Sequence, residues 1–268
     1  MVVEVVGGVL AHSLALLADA AHMLLDVGAL ALALFAAWIG HQPATAGRTY
    51  GYVRVEILAA LVNGAALLAV TVGIVWEAVR RLLHPEPVLP GIMFAVAAAG
   101  FAANTASALV LHRSRGESLN MRGAYLHVLS DLAGALAAMT AAVIIRYTGW
   151  TPADPVLSIL LSLLLVISGW RLLWQAVLVL LETAPAHLDM AALEAAVAAV
   201  PDVERVHDVH VWTVSSGFVA MSAHAVVREP ARSQGALEEI TRRVRDFGIR
   251  HVTVQIEQSG DCVGCDPQ

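Results

Sequence analysis

The sequence has few charged residues, no excess of basic residues and almost no cysteine. Only 14% of its 268 residues are charged and 58% are hydrophobic, whereas soluble domains carry about 25% charged residues. The formal net charge of −6 gives no reason to expect a nucleic-acid partner, which usually requires a basic face. Its two cysteines, Cys262 and Cys265, are too few for a disulfide scaffold. The composition therefore indicates a membrane protein with a modest soluble part.

Five apolar runs are long enough to cross a bilayer, which requires about 20 residues. Only short polar stretches separate them, and the first eleven residues resemble the end of a further span. We therefore predict a transmembrane domain over residues 1–183. The five predicted spans are residues 14–39, 57–79, 92–111, 124–145 and 156–181.

The loops between the spans predict an orientation. Loops 40–54 and 112–122 together hold five arginines and one acid, whereas 77–90 and 146–154 hold three arginines and three acids. Positive charge in short loops favours the cytoplasmic side. The first two loops, and everything after Leu181, are therefore predicted to be cytoplasmic, in a protein of the cell (inner) membrane.

The pattern changes after Pro185 to that of a small α+β domain, predicted over residues 184–258. "LDMAALEAAVAAV" has helical spacing, and "VERVHDVHVWTV" and "GFVAMSAHAVV" predict two strands with a turn at 215–217. "LEEITRRVRDFG" predicts an amphipathic helix and "HVTVQIEQ" alternates with period two. The predicted order is αββαβ, followed by a cysteine-containing tail at 259–268.

Two apolar spans contain the same pair of polar residues, His22 with Asp26 and His127 with Asp131. Residues four apart share a helix face, and ionisable side chains inside a span usually face a bundle interior or a watery cavity. If the two helices meet, two imidazoles and two carboxylates converge, a donor set that suits tetrahedral Zn²⁺. The alternative is that each pair is a local hydrogen bond within its helix.

Histidine must lose its proton to bind metal, so protons and metal would compete for such a site, as an antiporter requires. Asp19, about one turn before His22, either lines the outer exit path or pairs locally. An intramembrane zinc protease would need a motif such as HExxH, which the chain lacks.

Several segments resemble the cation diffusion facilitator family, most closely its zinc-transporter branch. "AHSLALLADAAHMLLD" resembles the second transmembrane helix of that family, "YGYVRVEILAALVNG" the third helix and preceding loop, "HVLSDLAG" the fifth helix, and "VHDVHVW" the cytoplasmic domain. The resemblance implies a homodimer and a transport site for zinc at His22, Asp26, His127 and Asp131. It also implies six helices, so "MVVEVVGG" would be only the end of the first, and we expect its remainder upstream of Met1.

Further metal ligands are expected in the cytoplasmic domain. The resemblance implies regulatory zinc at His207, His224 and Glu257, which fall on three separate predicted strands. On a regular strand His210 would face away from His207, and we interpret it as structural. Cys262 and Cys265 have the CxxC spacing of a zinc half-site; the alternative is two free thiols on a tail.

The sequence as a whole predicts proton-coupled export of Zn²⁺, or of Cd²⁺ or Co²⁺, from the cytoplasm. Zinc is then both substrate and regulatory ligand, and protons are the counter-ion. The alternative is a membrane zinc sensor without flux. Neither function makes or breaks a covalent bond in a substrate, so we do not expect an enzyme.

Overall fold

The computed structural model describes residues 1–114 and 119–258, which form eight α-helices and three strands. A 3₁₀ turn at Pro230–Arg232 precedes the last helix. In chain order the elements are α1 (Val2–Ala11), α2 (Leu14–Gly40), α3 (Val55–Leu83), α4 (Pro90–Ser114), α5 (Leu119–Thr148), α6 (Ala153–Leu180), α7 (Met190–Ala198), β1 (Val203–Ser215), β2 (Phe218–Val227), α8 (Ser233–Asp246) and β3 (His251–Gln258).

Helices α2 to α6 are each long and apolar enough to cross a membrane, and α1 is a shorter apolar helix. Each of the five predicted spans falls on one of these long helices, and the ends differ by only a few residues. The predicted fold class, an α-helical membrane bundle followed by a small domain of order αββαβ, is confirmed.

The chain divides into two compact units, of which the first comprises Met1–Ala33 and Ala60–Leu173. Within it, α1 packs so closely against α4 that a side chain at Gly7 would collide with Val96. Small residues commonly permit such close approach between membrane helices.

The start of α2 is held by a carboxylate from α6. Asp154 is fully buried and accepts hydrogen bonds from the Ser13 hydroxyl at 2.7 Å and from the backbone N–H groups of Leu14 and Ala15 at 2.6 and 3.1 Å. A helix leaves its first N–H groups unpaired, and a carboxylate there acts as an N-cap. Because this cap comes from another helix, it also joins α2, which bears His22, to α6.

The second unit contains the small domain, whose three strands lie in the order β1-β2-β3. β1 and β2 are antiparallel and meet at a tight turn where Gly217 has a φ of 74°. β2 and β3 are parallel and are connected through α8. One sheet face packs on α7 and α8 through a core that includes Leu193, Ile240 and Met221. The opposite face presents polar side chains at alternate positions of the strands.

We predict that Asp154→Ala lowers the free energy of unfolding by about 3 kcal/mol or more, because three buried donors lose their acceptor. Asp189→Ala is the matched control, since Asp189 caps α7 at an exposed site through the N–H of Ala192 and should cost only about 1 kcal/mol. Unfolding in detergent, followed by circular dichroism, measures both. An equal or smaller loss for Asp154→Ala would contradict this role of the cap.

Candidate metal centre

Two helices bring the four polar residues of the repeated pair together. α2 carries His22 and Asp26, and α5 carries His127 and Asp131. The Oδ2 atom of Asp26 lies 3.5 Å from His22 Nε2 and 3.4 Å from His127 Nε2. Asp131 Oδ2 lies 3.7 Å from His127 Nε2. One carboxylate oxygen on α2 therefore approaches an imidazole from each helix.

These distances favour a shared site over two separate local pairs. The contacts within each helix, 3.5 and 3.7 Å, are longer than ordinary N–H···O hydrogen bonds, which measure 2.7–3.2 Å. The shortest of the three contacts runs between the helices, from Asp26 to His127. The structure therefore does not show the local hydrogen bonds that the alternative interpretation requires.

The spacing of three of these side chains suits a small cation. Ligand atoms of His22, His127 and Asp131 all lie within 4.8 Å of one another. Nitrogen and oxygen ligands sit about 2.0–2.2 Å from Zn²⁺, so that neighbouring ligands of a tetrahedron are about 3.4 Å apart. The three observed carboxylate–imidazole distances, 3.4 to 3.7 Å, are close to this spacing. We call these four residues the intramembrane quartet.

The quartet divides by exposure into a less exposed pair, which we call its inner half, and a more exposed pair, which we call its outer half. The side chains of Asp131 and His22 are 14% and 18% exposed, whereas those of Asp26 and His127 are 39% and 48% exposed. The Nδ1 atom of His22 is buried and has no hydrogen-bond partner within the described chain. One side of the quartet is therefore open, while the other is enclosed by the bundle.

A second cluster lies on the polar face of the sheet. His207, His224 and Glu257 come from β1, β2 and β3, and their ligand atoms lie within 4.8 Å of one another. Glu257 Oε1 is 2.9 Å from His224 Nδ1, and Oε2 is 3.2 Å from His207 Nε2. Glu257 is only 7% exposed, and its Oε2 receives no hydrogen bond from any described residue. A buried carboxylate beside two imidazoles fits a bound cation.

β1 is not a regular strand between His207 and His210, so the condition under which these two side chains would face opposite sides is not met. His207 pairs with His224 and His210 with Ser222, so residues 208 and 209 stand opposite one residue of β2. Such a bulge shifts side-chain alternation by one position, and Asp208 accommodates it with a φ of 50°. His210 thereby shares the face of His207.

The bulge also adds a residue that sequence reasoning did not select. The Oδ1 atom of Asp208 lies 2.9 Å from His210 Nε2, and Oδ2 lies 3.6 Å from His224 Nε2. Alternation along a strand gave no signal for this position, because the bulge depends on the pairing with β2. Cys262 and Cys265 lie outside the described residues.

Together, five membrane-length helices and two clusters of histidine and carboxylate side chains define a multi-pass membrane protein with donor sets suited to divalent metal. The family model of the cation efflux transmembrane domain matches residues 1–181, and that of the cytoplasmic domain of cation efflux proteins matches residues 185–259. The chain belongs to this family, the cation diffusion facilitators, and is a transporter rather than an enzyme.

Similar proteins carry names for metal transport. The zinc transporter ZitB of Escherichia coli (strain K12) is 48% identical over 99% of this chain and 85% of its own length. A cadmium, cobalt and zinc/H(+)-K(+) antiporter of Bacillus subtilis (strain 168) is 36% identical over 100% of this chain and 89% of its own. The metal-bound C-terminal domain of the CzcD transporter from Cupriavidus metallidurans is 34% identical, covering 26% of this chain and 99% of its own, with a TM-score of 0.25.

We predict that His224→Ala weakens zinc binding at the sheet cluster at least about tenfold, since even the loss of a residue that supports a ligand costs 10–100-fold. His251→Ala is the control, because it removes an imidazole on the same face at the other end of β3. Calorimetric titration of the full-length protein carrying Asp26→Ala and Asp131→Ala isolates binding outside the membrane. Equal affinities for the two variants would rule out His224 as a ligand.

Proposed function

We propose that the protein exports Zn²⁺ from the cytoplasm in exchange for protons, by alternating access around the intramembrane quartet. The observation that carries this proposal is the approach of Asp26 to imidazoles of both α2 and α5. Ionisable side chains within a membrane are costly and tend to mark ion pathways. Family membership supports transport of a metal cation, and we assign the transport site to the quartet.

The donor set favours zinc among divalent cations. Two imidazoles and two carboxylates in a tetrahedron suit Zn²⁺, whereas an oxygen-only set would suit Mg²⁺ or Mn²⁺. Relatives named for zinc, and for cadmium, cobalt and zinc, are consistent with this assignment. Cd²⁺ and Co²⁺ are the alternative substrates.

Proton coupling follows from the chemistry of the ligands. An imidazole binds either a proton or a metal ion at a given nitrogen, so the arrival of one displaces the other. Zinc enters the quartet from the cytoplasm when the histidines are neutral. After the bundle opens outward, protons displace the metal and are carried back. The name of one relative, an antiporter that includes H⁺, supports this step.

Loop charge and family membership support the following arrangement in the cell. Residues 1–183 occupy the inner membrane, with the arginine-bearing loops on the cytoplasmic side, and residues 184–258 form a cytoplasmic domain. This domain pairs two chains into a homodimer. Its cluster of His207, His224 and Glu257 binds regulatory zinc. Cys262 and Cys265, in the tail 259–268, are further zinc ligands.

A membrane zinc sensor without flux is the competing function, because it would use the same two clusters. Movement of zinc into sealed vesicles separates the two functions, since a sensor binds the ion without transferring it.

We predict that Asp131→Ala abolishes zinc flux in reconstituted full-length protein while the dimer remains folded. Asp131 is the least exposed quartet carboxylate, and its loss leaves three ligands. Glu77→Gln is the matched control, because Glu77 pairs with Arg80 and Arg81 at the end of α3. A zinc indicator inside proteoliposomes measures flux. Wild-type flux in Asp131→Ala would remove this residue from the mechanism.

We also predict that His22→Asp shifts the metal preference toward harder cations such as Mn²⁺ at the expense of Zn²⁺, because it replaces an imidazole with oxygen ligands. His84→Asp makes the same chemical change at an exposed loop position and serves as control. Competition uptake of Mn²⁺ against Zn²⁺ gives the preference directly. An unchanged ratio in His22→Asp would show that His22 does not select the metal.

A further inference from the structure

A cavity extends from the inner half of the quartet to a second group of polar side chains. It is lined by residues of α2, α5 and α6, and its polar lining includes Asp19, His22, Asp131 and Ser162. Asp19 lies about one turn before His22 on α2. Its Oδ1 atom is 3.7 Å from the position that a Cβ at Gly134 of α5 would take. The carboxylate of Asp19 therefore points toward α5, the helix that bears the other half of the quartet.

Ser162 supplies the second polar group. Its side chain on α6 is 1% exposed, and its Oγ atom has no hydrogen-bond partner within the described chain. Hydroxyls in helices commonly donate to the carbonyl four residues earlier, as Ser158 does to Asp154 at 2.8 Å. Ser162 lies one turn further along the same helix without that bond, and it lines the cavity. An unpaired buried hydroxyl is unfavourable unless a ligand or water satisfies it.

We propose that Asp19 and Ser162 form a second station for the transported divalent cation, made of oxygen ligands only. This inference rests on the proposed function of the quartet. A carboxylate and a hydroxyl are hard ligands that hold Zn²⁺ less tightly than imidazole does. The ion at this station keeps part of its water shell and passes on readily.

The position of the station gives it a role in release. Asp19 lies toward the N-terminal end of α2 from His22, which is the side away from the cytoplasm in the proposed orientation. Conduction requires binding that is strong enough for entry and weak enough for exit, and adjacent sites meet both needs. The quartet selects the ion, and the station accepts it when it leaves the quartet.

The test compares zinc flux with zinc binding for Asp19→Asn and Ser162→Ala in full-length protein. Binding is measured by calorimetry with Zn²⁺ after His207→Ala and His224→Ala remove the sheet cluster. We expect the maximal flux of Asp19→Asn to fall at least about tenfold while quartet affinity changes by less than about threefold, the pattern of a lost step after binding. Ser162→Ala should slow flux in the same way. Ser158→Ala, one turn away and outside the cavity lining, should transport at the wild-type rate.

The outcomes separate this inference from the proposed function. Absence of zinc flux in the wild-type protein would contradict the proposed function itself. With wild-type flux present, a normal rate in Asp19→Asn, or a parallel loss of quartet affinity, would overturn the station. If Asp19→Asn does not fold, Ser162→Ala decides: a rate equal to that of Ser158→Ala overturns the proposal, and a slower rate at unchanged affinity supports it.

Discussion

The cost of placing ionisable groups among apolar helices constrains the whole membrane part of this protein. Such groups persist there only when other polar groups, water or an ion satisfy them. The intramembrane quartet meets this condition because α2 and α5 present matching faces, so that Asp26 approaches both His22 and His127 at about 3.5 Å. Asp154 is satisfied in another way, because it accepts three hydrogen bonds from residues at the start of α2. The Asp26 carboxylate thus brings imidazoles of two helices together, while the fully buried Asp154 fixes the start of the helix that carries half of the quartet.

The same donor chemistry occurs twice on unlike scaffolds. In the membrane, imidazole and carboxylate are spaced by one helical turn, so a single helix supplies a pair and two helices complete the set. In the small domain each strand supplies one donor side chain, and the register of β1, β2 and β3 brings His207, His224 and Glu257 together. Glu257 is almost fully buried, whereas part of the quartet is open.

Much of this arrangement could be predicted from the sequence, because its signals are local or repeated. Span length follows from the apolar runs, and the quartet follows from the recurrence of His and Asp at i and i+4. The bulge at Asp208 could not be predicted, since it depends on how β1 pairs with β2. In the sequence Asp154 falls in a predicted polar loop, and its burial depends on the packing of α6 against α2. The sequence does not distinguish Ser162 from Ser158. In the structure Ser158 donates a hydrogen bond to the carbonyl four residues earlier, and Ser162 does not.

The central claim is that the four side chains of the quartet bind zinc together. Zinc X-ray absorption on full-length protein carrying His207→Ala and His224→Ala, loaded with one equivalent of Zn²⁺, tests it most directly. The account predicts four nitrogen and oxygen ligands at about 2.0–2.2 Å, with imidazole scattering from two histidines that falls by half in His127→Ala. A six-coordinate shell of oxygen atoms without imidazole scattering, or a spectrum unchanged by His127→Ala, would contradict it.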